Sequence, residues 1–215
     1  MSFKTSTLQG ETLQLHPFKA LFWQEKEILL LADLHLGKAA HFRKNGIPVP
    51  QGVSDANWDK LISLLLDFKP RRLIFLGDLF HSVYNTAWED LSRLTRQFSD
   101  TTFELVQGNH DILNREHYES AQLRVYEEPL ELFPFLLSHH PMEAVPEGWY
   151  NLAGHIHPCV YLSGQAQQRA RLACFYFSPS QGILPAFGTF TGMAGLKPKQ
   201  GDLVYVITDE AVIEV

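Results

Sequence analysis

Aspartate, asparagine and histidine residues follow five apolar segments of this sequence, each at the point where a strand would end. Mixed oxygen and nitrogen ligands of this kind suit Mn, Fe or Zn, whereas Mg or Ca binds almost only oxygen. Two such ions can share a bridging carboxylate when they lie about 3.5–4 Å apart. The sequence therefore predicts a site for two cations. The polar residues at the five segment ends are Asp33, His35, Asp78, Asn109, His110, Asp111, His139, His140, His155 and His157.

The first of these segments, residues 29–38 with the sequence LLLADLHLGK, shows why cations are needed. Its apolar run leads directly into Asp33, and a carboxylate that is buried without a partner either costs several kcal/mol or becomes neutral. Asp33 and His35 are separated by one residue, and so are His155 and His157. Past the end of a strand, a chain with this spacing can turn both side chains toward one ion.

Each motif has a simpler explanation when it is taken alone. An Asp-x-His pair is more often a cap or a turn, Asn109-His110-Asp111 could close a turn through its side chains, and His155 could be a core histidine. Five such coincidences at five strand ends leave these explanations little room, because the carboxyl ends of parallel strands are where open α/β sheets place their sites.

Strands and helices alternate in the first half of the chain. Residues 11–33 read as two or three strands, and the apolar segments 71–77 and 102–108 read as buried strands. Apolar residues at i, i+3, i+4 and i+7 spacing predict helices over about 55–67 and 86–98. This alternation is typical of βαβ units that build a parallel sheet.

The second half of the chain is rich in strands with little helix between them. A parallel half followed by a strand-rich half indicates an α/β fold in which two sheets pack face to face with helices outside. We expect a single domain that spans residues 1–215.

The composition is 45% hydrophobic and 20% charged, and the formal net charge is -6. A protein that grips nucleic acid over a long track is usually basic, so contact with a polyanion should be local here. The two cysteines, Cys159 and Cys174, make no disulfide framework and favour a reducing compartment. The sequence has no signal-peptide pattern and no apolar run of about 18 residues, so we expect a cytoplasmic protein without membrane contact.

The motifs DLH, GDLFH, GNHD, HHP and GHIH, in this order over residues 33–157, resemble the calcineurin-like metallophosphoesterase superfamily. The segments DLHLGKAAHFRKNGIPVP and RLACFYFSPSQGILPAFGTFTGM resemble, more closely, the bacterial DNA ligase-associated metallophosphoesterases of the PdeM type. The resemblance implies a four-layer α/β/β/α sandwich of two mixed sheets flanked by helices. It also implies a dinuclear metal site.

The resemblance also assigns roles to the residues that match its motifs. One ion would bind Asp33, His35 and His157, the other would bind Asn109, His139 and His155, and Asp78 would bridge them. His110 would be the catalytic histidine, and Asp111 would orient it. Strand alternation lets only one of His139 and His140 face the metals easily, and the family pattern favours His139.

The function implied by the resemblance is metal-dependent hydrolysis of phosphodiester bonds in DNA or nucleotides, in a nuclease or phosphodiesterase of DNA repair. The implied cofactor is a pair of divalent ions, with Mn2+ first and Fe or Zn as alternatives. Implied partners are single-stranded DNA or DNA ends, in association with a DNA ligase and a helicase. Two alternatives stay open: a small-molecule phosphomonoesterase or nucleotide pyrophosphatase, and a non-catalytic scaffold, for which His110 would have no use.

Substrate contacts are predicted from a basic segment that follows the first ligand pair. Lys38, His41 and Arg43 could hold a phosphate beyond the scissile one, and His81, close after the bridging aspartate, could meet the substrate. A solvated loop is the alternative explanation for the basic segment.

Overall fold

The computed structural model describes residues 2–36, 53–80, 86–163, 169–189 and 191–215. Seven strands form a first sheet in which each strand pairs with its neighbours in the chain. The first four strands are antiparallel, and the last four, which lead to the predicted site, are parallel. The strands are β1 (Lys4–Leu8), β2 (Glu11–His16), β3 (Ala20–Trp23), β4 (Ile28–Ala32), β5 (Arg72–Leu76), β6 (Thr102–Val106) and β7 (Leu123–Tyr126).

The second sheet contains nine strands in the described residues and is also mixed. Its centre is a parallel group in which β10 pairs with both β9 and β13. The strands are β8 (Leu130–Leu132), β9 (Phe135–Ser138), β10 (Tyr150–Ala153), β11 (Pro158–Ser163), β12 (Arg169–Phe177), β13 (Gln181–Ile183), β14 (Ala194–Gly195), β15 (Leu203–Ile207) and β16 (Val212–Glu214).

Three helices are described, and all of them pack against the first sheet: α1 (Val53–Phe68), α2 (Thr86–Gln97) and α3 (Arg115–Ser120). The buried face of α1 includes Leu61 and Leu65, in agreement with the helical spacing of its apolar residues. Helix α1 ends where Lys69 takes a positive φ of 44° just before Pro70, a common way to stop a helix. None of the described helices is long and apolar enough to cross a membrane.

Alternate side chains of β4 enter two different cores, which explains its uninterrupted apolar run. Leu29 and Leu31 face the helices, whereas Ile28, Leu30 and Ala32 face the second sheet. A strand that is covered on both faces carries apolar residues at every position. The two sheets share the core between them, so the expected α/β fold of two mixed sheets packed face to face is confirmed.

The core between the sheets should dominate stability. Leu15 on β2 is fully buried in it, whereas Leu66 on α1 is 58% exposed. We predict that Leu15→Ala lowers the free energy of unfolding by about 2–5 kcal/mol. The same change at Leu66 should stay within about 0.5 kcal/mol. Urea denaturation of both variants measures the difference, and equal losses would contradict this description of the core.

Candidate metal centre

Three parallel strands of the first sheet deliver polar residues to one edge. Asp33 follows the last residue of β4 directly. Asp78 follows β5 after one glycine, and Asn109 follows β6 after a short turn. The backbone binds these strand ends together, since His35 N–H donates to the Asp78 carbonyl at 2.9 Å. The carboxyl ends of parallel strands meet at the same edge of a sheet, so these residues lie close together, as predicted from the sequence.

The second sheet delivers its histidines to the same place. His139 follows β9, and His155 follows the neighbouring parallel strand β10. Gly154 N–H donates to the His139 carbonyl at 3.1 Å, which ties these two strand ends together. His157 lies two residues beyond His155, directly before β11 begins at Pro158.

The two sheets meet through the carboxylates of Asp33 and Asp78. The His155 backbone N–H donates to Asp33 Oδ2 at 2.9 Å, and His157 Nε2 lies 3.4 Å from Asp33 Oδ1. His139 bridges the pair, with Nδ1 at 3.7 Å from Asp33 Oδ1 and Nε2 at 3.5 Å from Asp78 Oδ1. On the far side, His35 Nε2 lies 3.8 Å from Asp78 Oδ2. The structure therefore brings both carboxylates and three imidazoles from two sheets into one cluster.

The ambiguity between His139 and His140 has a clear geometric answer. The His139 side chain is fully buried against both aspartates, whereas the His140 side chain is 43% exposed. His140 Nδ1 instead lies 2.7 Å from Glu128 Oε1. Of the two, His139 is the histidine that faces the carboxylates.

Five of the predicted ligands have a left-handed backbone, which is unusual for residues other than glycine. Such conformations cost of order 1–3 kcal/mol each and persist where the surrounding structure enforces them, often at active sites. Here they aim both members of each i, i+2 pair into the cluster. The φ values are 54° for Asp33, 48° for His35, 49° for Asp78, 66° for His155 and 53° for His157.

Two observations show that these residues fit bound cations. Asp33 Oδ1 is buried and accepts no hydrogen bond from the described residues. His139 Nδ1 contacts the Leu76 carbonyl at 3.1 Å, so Nδ1 carries the proton and Nε2 keeps its lone pair. His139 Nε2 lies 3.0 Å from Asn109 Oδ1 and also 3.0 Å from His155 Nδ1. Three potential ligand atoms therefore meet at one point, which suits a shared cation.

The charge state of His155 also fits metal binding. Burial, together with the neighbouring His139 and His140, lowers the pKa of His155. The neutral imidazole is the form that binds a metal. Ligand atoms of His139, His140 and His155 lie within 4.8 Å of one another, and so do those of Asp33, His35 and His157.

Asp111 is buried and bonded to backbone amides. Its Oδ1 accepts from Leu79 N–H at 3.0 Å and Phe80 N–H at 3.4 Å, and its Oδ2 accepts from Gly108 N–H at 2.9 Å. Burial, opposed by the bond from Gly108 and aided by the charge of Asp78, raises the pKa of Asp111 to about 7. These bonds join the loops after β5 and β6.

The predicted catalytic histidine lies beside Asp78. His110 Nε2 is 4.0 Å from Asp78 Oδ2, its backbone N–H donates to Asp78 Oδ1 at 3.0 Å, and its side chain is 44% exposed. The hydrogen bonds of Asp111 to backbone amides hold the loop that carries His110, and the orientation of the His110 ring by Asp111 stays a prediction.

The predicted substrate residues Lys38, His41, Arg43 and His81 all lie outside the described residues. Two contacts to the cluster were missed by the sequence analysis. Glu128 binds His139 and His140, and the Gly192 carbonyl lies 3.0 Å from His157 Nδ1. A glutamate before a proline and a backbone carbonyl give no signal in a sequence.

Comparisons with known proteins agree with this geometry. The model of the calcineurin-like phosphoesterase family matches residues 26–171. A search of curated protein sequences gave no match. Among solved structures, the nuclease MPE of Pseudomonas putida superimposes with a TM-score of 0.82 and 30% sequence identity, covering 95% of this chain and 96% of that chain. YfcE, a phosphoesterase from E. coli, gives a TM-score of 0.46 and 15% identity, covering 87% of this chain and 97% of that chain.

The fold and the cluster define a metal-dependent hydrolase of phosphate esters. The chain belongs to the calcineurin-like phosphoesterase family, as the sequence motifs predicted. This family uses a dinuclear metal centre.

Glycine is required before Asp78, and this requirement can be tested. Gly77 has a φ of 73°, and an added Cβ would lie 2.3 Å from His139 Nδ1. Gly10 has a φ of 82° with nothing within 4 Å of an added Cβ, so it is a matched control for backbone strain. We predict that Gly77→Ala lowers the melting temperature more than Gly10→Ala does and weakens Mn2+ binding, because His139 must move.

Thermal unfolding and calorimetric Mn2+ titration of the two variants measure these effects. Equal losses of stability with unchanged Mn2+ affinity would show that the close approach of Gly77 to His139 has no role in the site.

Proposed function

We propose that this protein hydrolyses phosphodiester bonds in DNA or nucleotides with two divalent cations, with Mn2+ first and Fe or Zn as alternatives. The observation that carries this proposal is the convergence of carboxylates and imidazoles from both sheets on Asp33, which His157 Nε2 approaches to 3.4 Å. The 30% identity to the nuclease MPE of Pseudomonas putida over 95% of the chain supports a phosphodiester substrate.

The proposed ligands divide into two sets around Asp78. Asp33, His35 and His157 would hold one ion, Asn109, His139 and His155 would hold the other, and Asp78 would serve both. Bound cations of this kind neutralise charge on phosphoryl oxygens and make a water molecule a better nucleophile.

Contacts within the chain determine which ring nitrogen of His157 carries a proton and where His110 lies. His157 Nδ1 faces the Gly192 carbonyl at 3.0 Å, so this nitrogen carries the proton and Nε2 presents its lone pair toward Asp33. The half-exposed ring of His110 is the group that supplies a proton, or a positive charge, to the leaving oxygen. The bond from His110 N–H to Asp78 Oδ1 at 3.0 Å sets the position of that residue against the cluster.

We propose one domain over residues 1–215, because side chains of both sheets share one core. We propose single-stranded DNA or DNA ends as the substrate, bound with the help of Lys38, His41, Arg43 and His81. A repair function in association with a DNA ligase and a helicase follows from the resemblance of the sequence motifs.

The substrate class can be tested with three compounds. The Mn-loaded protein should hydrolyse bis-p-nitrophenyl phosphate, a diester, and cleave single-stranded DNA. Turnover of p-nitrophenyl phosphate alone would overturn the diester proposal in favour of a phosphomonoesterase. An absence of turnover with Mn, Fe and Zn alike would favour a scaffold.

His110 should separate catalysis from metal binding. We predict that His110→Ala keeps two ions per chain and loses about 10²–10⁴-fold in turnover, the usual contribution of a proton-transferring side chain. Asp78→Asn should lose metal and activity together, and His117→Ala, at an exposed position on α3, is the control. Metal analysis and kinetics with the diester measure both quantities. Loss of both ions from His110→Ala would contradict its catalytic role.

A further inference from the structure

Glu128 lies between β7 and β8, and its carboxylate holds the end of β9. Glu128 Oε2 accepts from the backbone N–H groups of His139 at 2.7 Å and His140 at 2.9 Å. Glu128 Oε1 lies 2.7 Å from His140 Nδ1. One carboxylate therefore takes three hydrogen bonds from two consecutive residues, and one of these residues is a proposed metal ligand.

The ring that Glu128 holds packs against two proposed ligands. The centroid of the His140 ring lies 4.6 Å from that of His139 and 4.5 Å from that of His155. The rings of His139 and His155 are themselves 4.8 Å apart. His140 is thus the outer ring of a group of three imidazoles, and its contact with Glu128 fixes the orientation of this ring.

We propose that Glu128 is a positioning residue for the ion on the His139–His155 side of the site. It acts through the backbone of His139 and through the ring of His140, which limits where the His155 ring can turn. The inference rests on the proposed two-metal site. Loss of a hydrogen bond that orients a metal ligand commonly lowers metal affinity about 10–100-fold, because the ligand is then no longer held in position before the metal binds.

The effect should be selective for one ion. The hydrogen bonds of Glu128 go to His139 and His140, whereas Asp33, His35 and His157 form the opposite group. A general loss of folding would weaken both ions together, but a positioning role weakens the ion at His139 and His155 and spares the other.

Glu128→Gln is the sharpest variant for this test. The amide keeps the size of the side chain, but its NH2 group cannot accept a hydrogen bond. One oxygen then remains for the two backbone amides, and none remains for a protonated His140 Nδ1. Glu127→Gln, at the exposed neighbouring position, is the matched control. His140→Phe keeps a ring beside His155 and removes both ring nitrogens, including Nδ1, which contacts Glu128 Oε1.

Equilibrium dialysis with Mn2+, followed by metal analysis and electron paramagnetic resonance, reads the two ions separately. Paired Mn2+ ions give an exchange-coupled spectrum, whereas a single ion gives an isolated one. We expect Glu128→Gln to bind one ion about 10–100-fold more weakly. At a Mn2+ concentration that fills both wild-type sites, it should retain one ion with an isolated spectrum. His140→Phe should weaken the same ion, but less, because the backbone bonds remain.

Two outcomes would overturn the inference while the wild type still binds two ions. One is a Glu128→Gln variant that matches Glu127→Gln in ion count and spectrum. The other is an equal weakening of both ions together with a lower melting temperature. A wild-type protein that binds no pair of ions would instead overturn the proposed function itself.

Discussion

The buried carboxylate of Asp33 is the constraint on which the site depends. It lies at the end of β4, is fully buried, and stands where the two sheets meet. Oδ2 accepts the backbone N–H of His155 at 2.9 Å, while nitrogens of His157 and His139 lie 3.4 and 3.7 Å from Oδ1. A buried charge without compensation is costly, so both sheets must present donors or cations to this one group. This requirement explains why residues far apart in the chain converge here.

The positions of the Asp33 and Asp78 carboxylates depend on close packing against the backbone of neighbouring loops and on the positive φ angles of the two aspartates. An added Cβ on Gly154 would lie 2.8 Å from Asp33 Oδ2, and one on Gly108 would lie 2.7 Å from Asp78 Oδ1. The loops therefore press their backbone directly against the aspartates, whose own φ angles are positive. A larger residue at Gly108 or Gly154 would occupy the space that the neighbouring carboxylate needs.

Much of this arrangement could be predicted from sequence, for identifiable reasons. Helices α1 and α2 have apolar residues at helical spacing, and strands β4 to β6 are apolar runs that end in polar residues. Strand β1, with the sequence KTSTL, was missed because its one buried side chain is Ser6. Helix α3 was missed because six residues are too few to show a period. The choice between His139 and His140 needed the structure itself, since both residues lie just past the end of β9, where the sequence does not say which of two adjacent side chains is buried.

The hydrogen bonds of the carboxylates distinguish the proposed metal ligands from the residues that we propose to support them. Asp33 and Asp78 each accept a backbone amide on one oxygen. Imidazole nitrogens lie 3.4 Å from Asp33 Oδ1, and 3.5 and 3.8 Å from the two oxygens of Asp78. Asp111 and Glu128 instead use both oxygens on N–H donors, including amides of the loops that carry the histidines. An oxygen that already accepts such bonds has less electron density to offer a cation. The hydrogen-bond partners of these four acidic side chains, rather than their distance along the chain from a histidine, therefore distinguish the two proposed roles.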